Sequence, residues 1–287
     1  VERAVTASPP KLLEPDRRQI EHFFDALFRH RGTEGFISFR SFYHDDNKPL
    51  LIEGVPVKSG FKYLCDVAED HARRAANEIK PAVFCPPIAL FNSKDRAREQ
   101  DLLAGLVLSI ECDERPQQAR EKLEAILGPA TAVLYSGGKW QAPDGTVDDK
   151  LHLHWRLAAL ALGNNLAKLK RARKLATQLV GGDVSNIQVV HPLRWPGSWH
   201  RKGEPVLCQF ATLEPDREID LDTALYALEA ALPADDPKGN GFDHANDDNG
   251  DTERADWAAL TQKILAGKDL HCTKVHCAWQ PHMSAPE

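Results

Sequence analysis

From Gly105 to Leu232 short apolar runs alternate with amphipathic stretches, and this rhythm limits the available folds more than any other feature. Gly105 to Glu111 reads as a buried strand carrying Leu106, Val107, Leu108 and Ile110. Pro116 to Leu127 reads as a helix, with Pro116 suited to its first turn and Gly128 to its end. Thr131 to Tyr135 is a second strand, ending in Ser136-Gly137-Gly138 and a polar loop with Pro143, Asp144 and Gly145. Leu151 to Leu157 is a third strand, Asn165 to Val180 a helix ended by Gly181-Gly182, Val206 to Phe210 a strand and Leu221 to Leu232 a helix. Upstream, helices are expected over Asp16 to Arg29 and Tyr63 to Ile79, a strand over Gly35 to Tyr43 and a short apolar run over Ala82 to Cys85. The pattern predicts an α+β or α/β sheet with helices packed on it.

The remaining bulk features exclude several classes. No apolar run approaches the roughly 18–20 residues of a membrane span, and Val1 to Leu13 lacks the basic and apolar parts of a signal peptide. Six scattered cysteines without a CxxC pair fit reduced thiols. A cytoplasmic protein is the expectation, and a start at Val1 fits a fragment or a valine-type start codon. The net charge of −6 is misleading for polyanion binding. Residues 233–256 carry eight acids and two bases, which is the whole excess. Lys168, Lys170, Arg171, Arg173 and Lys174 form one basic cluster, and Arg194, His200, Arg201 and Lys202 another. Residues 1–232 are expected to form one catalytic domain, 233–251 an acidic flexible linker and 252–287 a short helical tail.

Four motifs carry chemistry. Strand alternation puts Glu111 and Asp113 on one face with Cys112 opposite, and paired carboxylates suit a hard cation such as Mg²⁺ or Mn²⁺. A solvated strand end is the plain alternative. In Leu151-His152-Leu153-His154-Trp155-Arg156 both histidines share a face, where an imidazole can contact phosphate, ligate metal or move protons. After Gly181-Gly182, Asp183 can complete a three-carboxylate site or simply cap the helix. Arg194, Ser198, His200 and Lys202 supply phosphate donors on a loop turned by Pro196-Gly197. Ser136-Gly137-Gly138-Lys139 lets backbone and a lysine approach a ligand, although the spacing is not that of a P-loop.

In order, these pieces resemble the archaeo-eukaryotic primase superfamily, especially the primases and primase–polymerases of plasmids and phages. The likeness spans about Ala82 to Phe210 and rests on Glu111 and Asp113, then His152, then Asp183, with Arg194 to Lys202 after them. Glu111 stands where Asp is more usual in that family. The resemblance implies an RNA-recognition-like antiparallel sheet with flanking helices and an N-terminal α/β unit. It implies template-directed nucleotidyl transfer on single-stranded DNA, with Mg²⁺ or Mn²⁺ on Glu111, Asp113 and Asp183. Ser136, Gly137, Gly138, Lys139, His152, Arg194, Ser198, His200 and Lys202 would then bind the nucleoside triphosphate, with His154 as the alternative to His152. The tail from Asp256 to His271 resembles the segment that joins such primases to a replicative helicase, a possible partner.

Two other readings compete. His152-Leu153-His154 also matches the metal-binding pair of rolling-circle replication endonucleases, which need a nucleophilic tyrosine. The tyrosine available downstream, Tyr226, falls in an apolar helix where a core role is expected. A non-catalytic nucleic-acid-binding module would need the basic clusters and not the carboxylates.

Overall fold

The computed structural model describes residues 12–45, 48–182 and 184–232. The expected linker and tail, and Asp183, lie outside these residues. Helix α1 (Arg17–Leu27) begins where the Asp16 carboxylate accepts the Gln19 backbone N–H at 3.2 Å. Strands β1 (Phe36–Tyr43) and β2 (Pro49–Pro56) form a hairpin, and α2 (Phe61–Asn77) follows. Two short strands, β3 (Ala82–Phe84) and β4 (Ala89–Phe91), lead into the long β5 (Leu102–Cys112). Helix α3 (Pro116–Leu127) starts on Pro116 and stops at Gly128, whose φ of +78° favours glycine. The hairpin β6 (Ala132–Gln141) and β7 (Val147–Ala161) comes next, then α4 (Asn164–Val180). Short strands β8 (Trp199–His200), β9 (Val206–Leu207) and β10 (Gln209–Leu213) precede α5 (Leu221–Ala230).

Eight strands make one sheet in the order β10-β6-β7-β5-β4-β1-β2, with β3 also paired to β1, and every pairing between them is antiparallel. The fold class is therefore α+β. The N-terminal strands are not a detached unit, because β4 stitches β1 and β2 to β5. Strands β8 and β9 form a separate two-stranded ribbon. Apolar side chains cover both faces of the sheet. On one face Ile20, Phe23, Phe24 and Leu27 of α1 and Leu64 and Ala68 of α2 are buried together. On the other, Leu123 of α3, Leu169 and Ala176 of α4 and Leu228 of α5 pack with Leu151, Leu153 and Trp155.

An irregularity in β5 decides which way its end faces. Ala104 and Leu106 belong to the α1–α2 core, whereas Leu108, Ile110 and Cys112 belong to the α3–α4–α5 core. The alternation inverts where the β5–β7 register shifts between Gly105 and Val107. Downstream of that shift the odd residues face α1, so Ser109 meets His154 and Glu111 meets His152. Without the shift the period-2 rule would turn Glu111 toward α4.

Several expected boundaries move. Strand β6 does not stop at Ser136-Gly137-Gly138 but runs to Gln141, and the expected loop contracts to a turn in which Gly145 N–H donates to Ala142 at 2.9 Å. The expected strand over Val206 to Phe210 breaks at Cys208, whose N–H donates to Ser198 at 2.8 Å. Strands β2, β4 and β8 had no clear alternation to reveal them. Among the described residues no helix is long and apolar enough to cross a membrane.

Trp195 sits at the centre of the α1–α2 core with no exposed surface. Its ring centroid is 5.1 Å from Phe23, 5.5 Å from Phe28 and Phe84 and 6.0 Å from Phe39, and its indole N–H donates to the Pro86 carbonyl at 3.2 Å. Trp195 and Trp199 stand beside Arg194, His200, Arg201 and Lys202 in sequence; the structure makes Trp195 a core anchor, and the Trp199 indole donates to the Glu14 carbonyl. Trp195→Ala should lower stability by about 3–5 kcal/mol, read as a fall in the urea midpoint. Trp199→Ala should lower it far less.

Candidate active site

The site is built at the end of β5, where three strands bring polar groups to the α1 side of the sheet. Register pairs Glu111 with His152 and His152 with Leu134, so the carboxylate, the imidazole and the run into Ser136 lie across neighbouring strands. Glu111 Oε1 is 3.2 Å from His152 Nε2, and Glu111 Oε2 is 3.6 Å from His191 Nε2. The first approach is close but poorly aligned, so both His152 ring nitrogens are buried without a hydrogen-bond partner. Burial alone would raise the Glu111 carboxyl, but His152, His191 and Arg194 outweigh it and hold it at about 2. Burial pushes His152 down to about 4. At neutral pH the pair is thus a carboxylate beside a neutral imidazole.

Asp113 follows the last residue of β5. Its Oδ1 pairs with Lys150 Nζ at 3.1 Å, and it is more exposed than Glu111. A β-carbon on Gly182 would stand 3.5 Å from the Glu111 carbonyl oxygen, so the end of α4 returns to the end of β5. Asp183 is the next residue in sequence; its own position lies outside the described residues. Among the described residues no three His, Cys, Asp or Glu side chains already form a closed metal cluster. Two carboxylates, one firmly ionised and the other open to solvent, are nevertheless a donor set that fits a hard divalent cation.

The two histidines of the β7 motif have different surroundings. His154 Nδ1 is 2.9 Å from Ser109 Oγ, and its ring meets the Phe23 ring edge-on at 5.6 Å. It is a fully buried core histidine under α1, and burial drives its pKa well below the ordinary value. His152 alone faces the carboxylate. Tyr226, expected in the core, is 75% exposed. It stands on α5, whose inner residues pack on the face opposite the histidines.

A second group of residues stands beside the first. Arg194 Nη1 donates to the Ser136 carbonyl at 3.0 Å. His200 is buried against Gly137, where an added β-carbon would lie 2.6 Å from His200 Cβ, and Gly137 has a φ of +83°. Burial, then Arg194, pushes His200 down to about 4. Lys202 is exposed at the ribbon turn. Ser198 is fully buried and its hydroxyl donates to the Trp195 carbonyl at 2.6 Å, so it braces the turn. Lys139 projects from the β6–β7 hairpin and pairs with Asp149 at 2.5 Å. Lys139, Trp140, Gln141 and Lys150 line a cleft of about 440 Å³ with Asp113, Glu114, Gly181 and Gly182. Gly138 abuts the Lys150 stem, which would meet a β-carbon at 2.9 Å. The sequence does not single out His191, a loop histidine between Val190 and Pro192, and only proximity to Glu111 reveals it.

The fold is that of an archaeo-eukaryotic primase–polymerase domain, a large antiparallel sheet with helices on its faces. A similar solved structure is the AEP domain of the cyanophage S-2L primase–polymerase, with a TM-score of 0.50 and 16% identity over 75% of this chain and 100% of that one. Primase RepB′ is less alike: its catalytic domain in complex with initiator DNA gives 0.48 over 93% of that chain, and a further structure 0.49 over 62%. Each is 11% identical over 75% of this chain. No protein-family model and no curated protein matches the sequence. At this identity the likeness is one of fold, and the chemistry rests on the chain's own side chains.

Two outcomes follow from this geometry. Gly137→Ala forces a left-handed conformation on alanine and a clash with His200, so it should lower stability by about 1–3 kcal/mol and displace His200, seen in the denaturation midpoint and the His200 imidazole NMR signals. The folded-state pKa of His154 and of His200 is depressed, so only the unfolded chain takes up their protons as pH falls below about 6.5. Stability should therefore decline from there toward pH 4, and His154→Gln should flatten that decline in urea titrations at stepped pH.

Proposed function

We propose that this chain is a template-directed nucleotidyltransferase, a DNA primase or primase–polymerase that makes primers on single-stranded DNA in phage or plasmid replication. One observation carries the reading. Glu111 is largely buried yet held ionised, at the end of a strand, facing His152, with Asp113 beside it at the mouth of a nucleotide-sized cleft. His152, His191 and Arg194 keep this buried carboxylate ionised, and an ionised carboxylate is the form that ligates a cation.

Glu111, Asp113 and Asp183 would hold Mg²⁺ or Mn²⁺. When bound, the ion would lower the pKa of the primer 3′-hydroxyl and neutralise charge on the phosphates. Arg194, already aimed across Ser136, would neutralise the triphosphate together with Lys202, and the neutral His200 ring would donate a hydrogen bond to it. His152 would offer a ring nitrogen to a phosphate oxygen, which relieves its unpartnered state. Gly137 and Gly138 let His200 and the Lys150 stem lie close against the strand, beside the bound nucleotide. Ser136 contributes a buried hydroxyl without a partner. Lys139 would meet the nucleic acid from the hairpin. Ser198 acts on the turn that carries His200 and not on the ligand. Alignment and charge neutralisation would supply most of the rate. A replicative helicase would be a further partner, as the likeness of the sequence from Asp256 to His271 to a helicase-joining segment implies.

The test is de novo primer synthesis on single-stranded DNA with nucleotides and Mg²⁺ or Mn²⁺. Wild type should make labelled oligonucleotides. Asp113→Ala and Asp183→Ala should each lose at least about 100-fold in rate, the range of one electrostatic contact to a developing charge. Tyr226→Phe should leave the rate unchanged, and a covalent DNA adduct at Tyr226 would transfer the reading to a nickase. A wild-type chain that binds DNA yet is inert with every template and metal would point to a binding module.

A further inference from the structure

The polar group beside the carboxylates has a member just after β1 that the proposed reaction does not yet use. His44 follows the last residue of β1, and its ring stands edge-on to His200 at 5.5 Å, with an interplanar angle of 82°. Three polar atoms gather here, buried and without a hydrogen-bond partner: His44 Nε2, His200 Nδ1 and Ser136 Oγ. Leaving such an atom unpaired carries the cost of its lost hydration, and two facing imidazoles with a buried hydroxyl nearby in the chain call for a partner. His200 and Ser136 are themselves more than nine-tenths buried.

The charge around them says what that partner is. Besides burial, Arg194, Lys202 and Arg201 act on His44 against protonation, and Asp45 opposes them. Arg194, His44, Lys202 and Lys150 all act on His200 in the same sense. Four cations, Arg194, Arg201, Lys202 and Lys150, surround the two imidazoles, with Asp45 acting on His44, and together they form a site for a multiply charged anion. Gly137 and Gly138 let His200 and the Lys150 stem pack close against β6, which fixes both groups at this point. The pocket adjoins Glu111 through Arg194, which acts on both His200 and Glu111.

We propose that His44 and His200 together close the outer-phosphate end of the nucleotide site, so that β1 helps the protein to select triphosphates over shorter phosphate chains. This rests on the nucleotidyltransferase reading for its substrate, but the pocket itself is defined by its anion. Phosphate oxygens would accept a hydrogen bond from an imidazole N–H of each histidine and another from the Ser136 hydroxyl, and Arg194 and Lys202 would balance the charge.

The probe is inorganic tripolyphosphate, titrated calorimetrically into the full chain beside pyrophosphate and orthophosphate. His44→Phe keeps a ring against His200 and removes the nitrogens; His44→Gln restores an amide donor. Tripolyphosphate affinity should fall roughly tenfold or more in His44→Phe, the size of one hydrogen bond to a charged group. It should recover in large part in His44→Gln, and orthophosphate binding should change little. Thermal midpoints of the variants within a few degrees of wild type exclude a folding defect. Undiminished tripolyphosphate affinity in His44→Phe overturns the inference, as does equal loss for all three anions or for single-stranded DNA alone. Primer synthesis by wild type with an unchanged nucleotide KM in His44→Phe also overturns it. If wild type binds tripolyphosphate through His44 but makes no primer on any template, the pocket stands and the polymerase reading falls.

Discussion

The burial of the Trp195 indole among Phe23, Phe28, Phe39 and Phe84 is the contact on which the rest of the site depends. Arg194 precedes it, the Pro196-Gly197 turn follows it, and His200 lies five residues on. A large aromatic ring packed by these four rings cannot shift without opening a cavity. The loop is further held by Gly197 N–H donating to Cys208 at 2.7 Å and Ser198 accepting from Cys208 at 2.8 Å. Loop side chains thereby gain the precision of a strand. The same packing binds α1 to the sheet and shuts water away from His154 and from much of His152.

A second constraint acts in β5. Its face inverts at the register shift near Leu106, which lets one strand serve both cores and end with Glu111 toward α1. The consequence is electrostatic. Glu111 leaves water at the point where His152, His191 and Arg194 replace the lost solvation, so it stays ionised. Asp113, beyond the strand, keeps contact with solvent and with Lys150. Two carboxylates two residues apart therefore differ in burial and in the partners that hold them, a difference useful to a site that must hold a cation and still admit substrate.

The fold class and most elements were legible because their signals are local. The α3 boundaries follow from Pro116 and Gly128, and the long apolar β5 from composition. The pairing of His152 and His154 on one face follows from period 2 alone. Strands β2, β4 and β8 were hidden, since they are short or lack alternation and exist through pairing with distant segments. The extension of β6 through two glycines was also hidden, because the stabilising partner is the equally extended β7. Lys139 and Ser198 looked alike as phosphate donors. Only packing separates a solvent-facing lysine from a hydroxyl bonded within its own turn.

By itself the sequence determined the residue types, their order and the local conformations: acids at a strand end, histidines on one strand face, glycines where backbone must come close. Tertiary structure decided which of these meet. It placed His152 against Glu111 and His154 under Phe23, put Tyr226 on the far face, and brought His44 and His191 from separate segments into the polar neighbourhood. The reason is physical. Periodicity encodes which face a side chain takes, over a few residues, whereas proximity, burial and the resulting shifts in protonation depend on strand register and on a bulge, which no local pattern specifies.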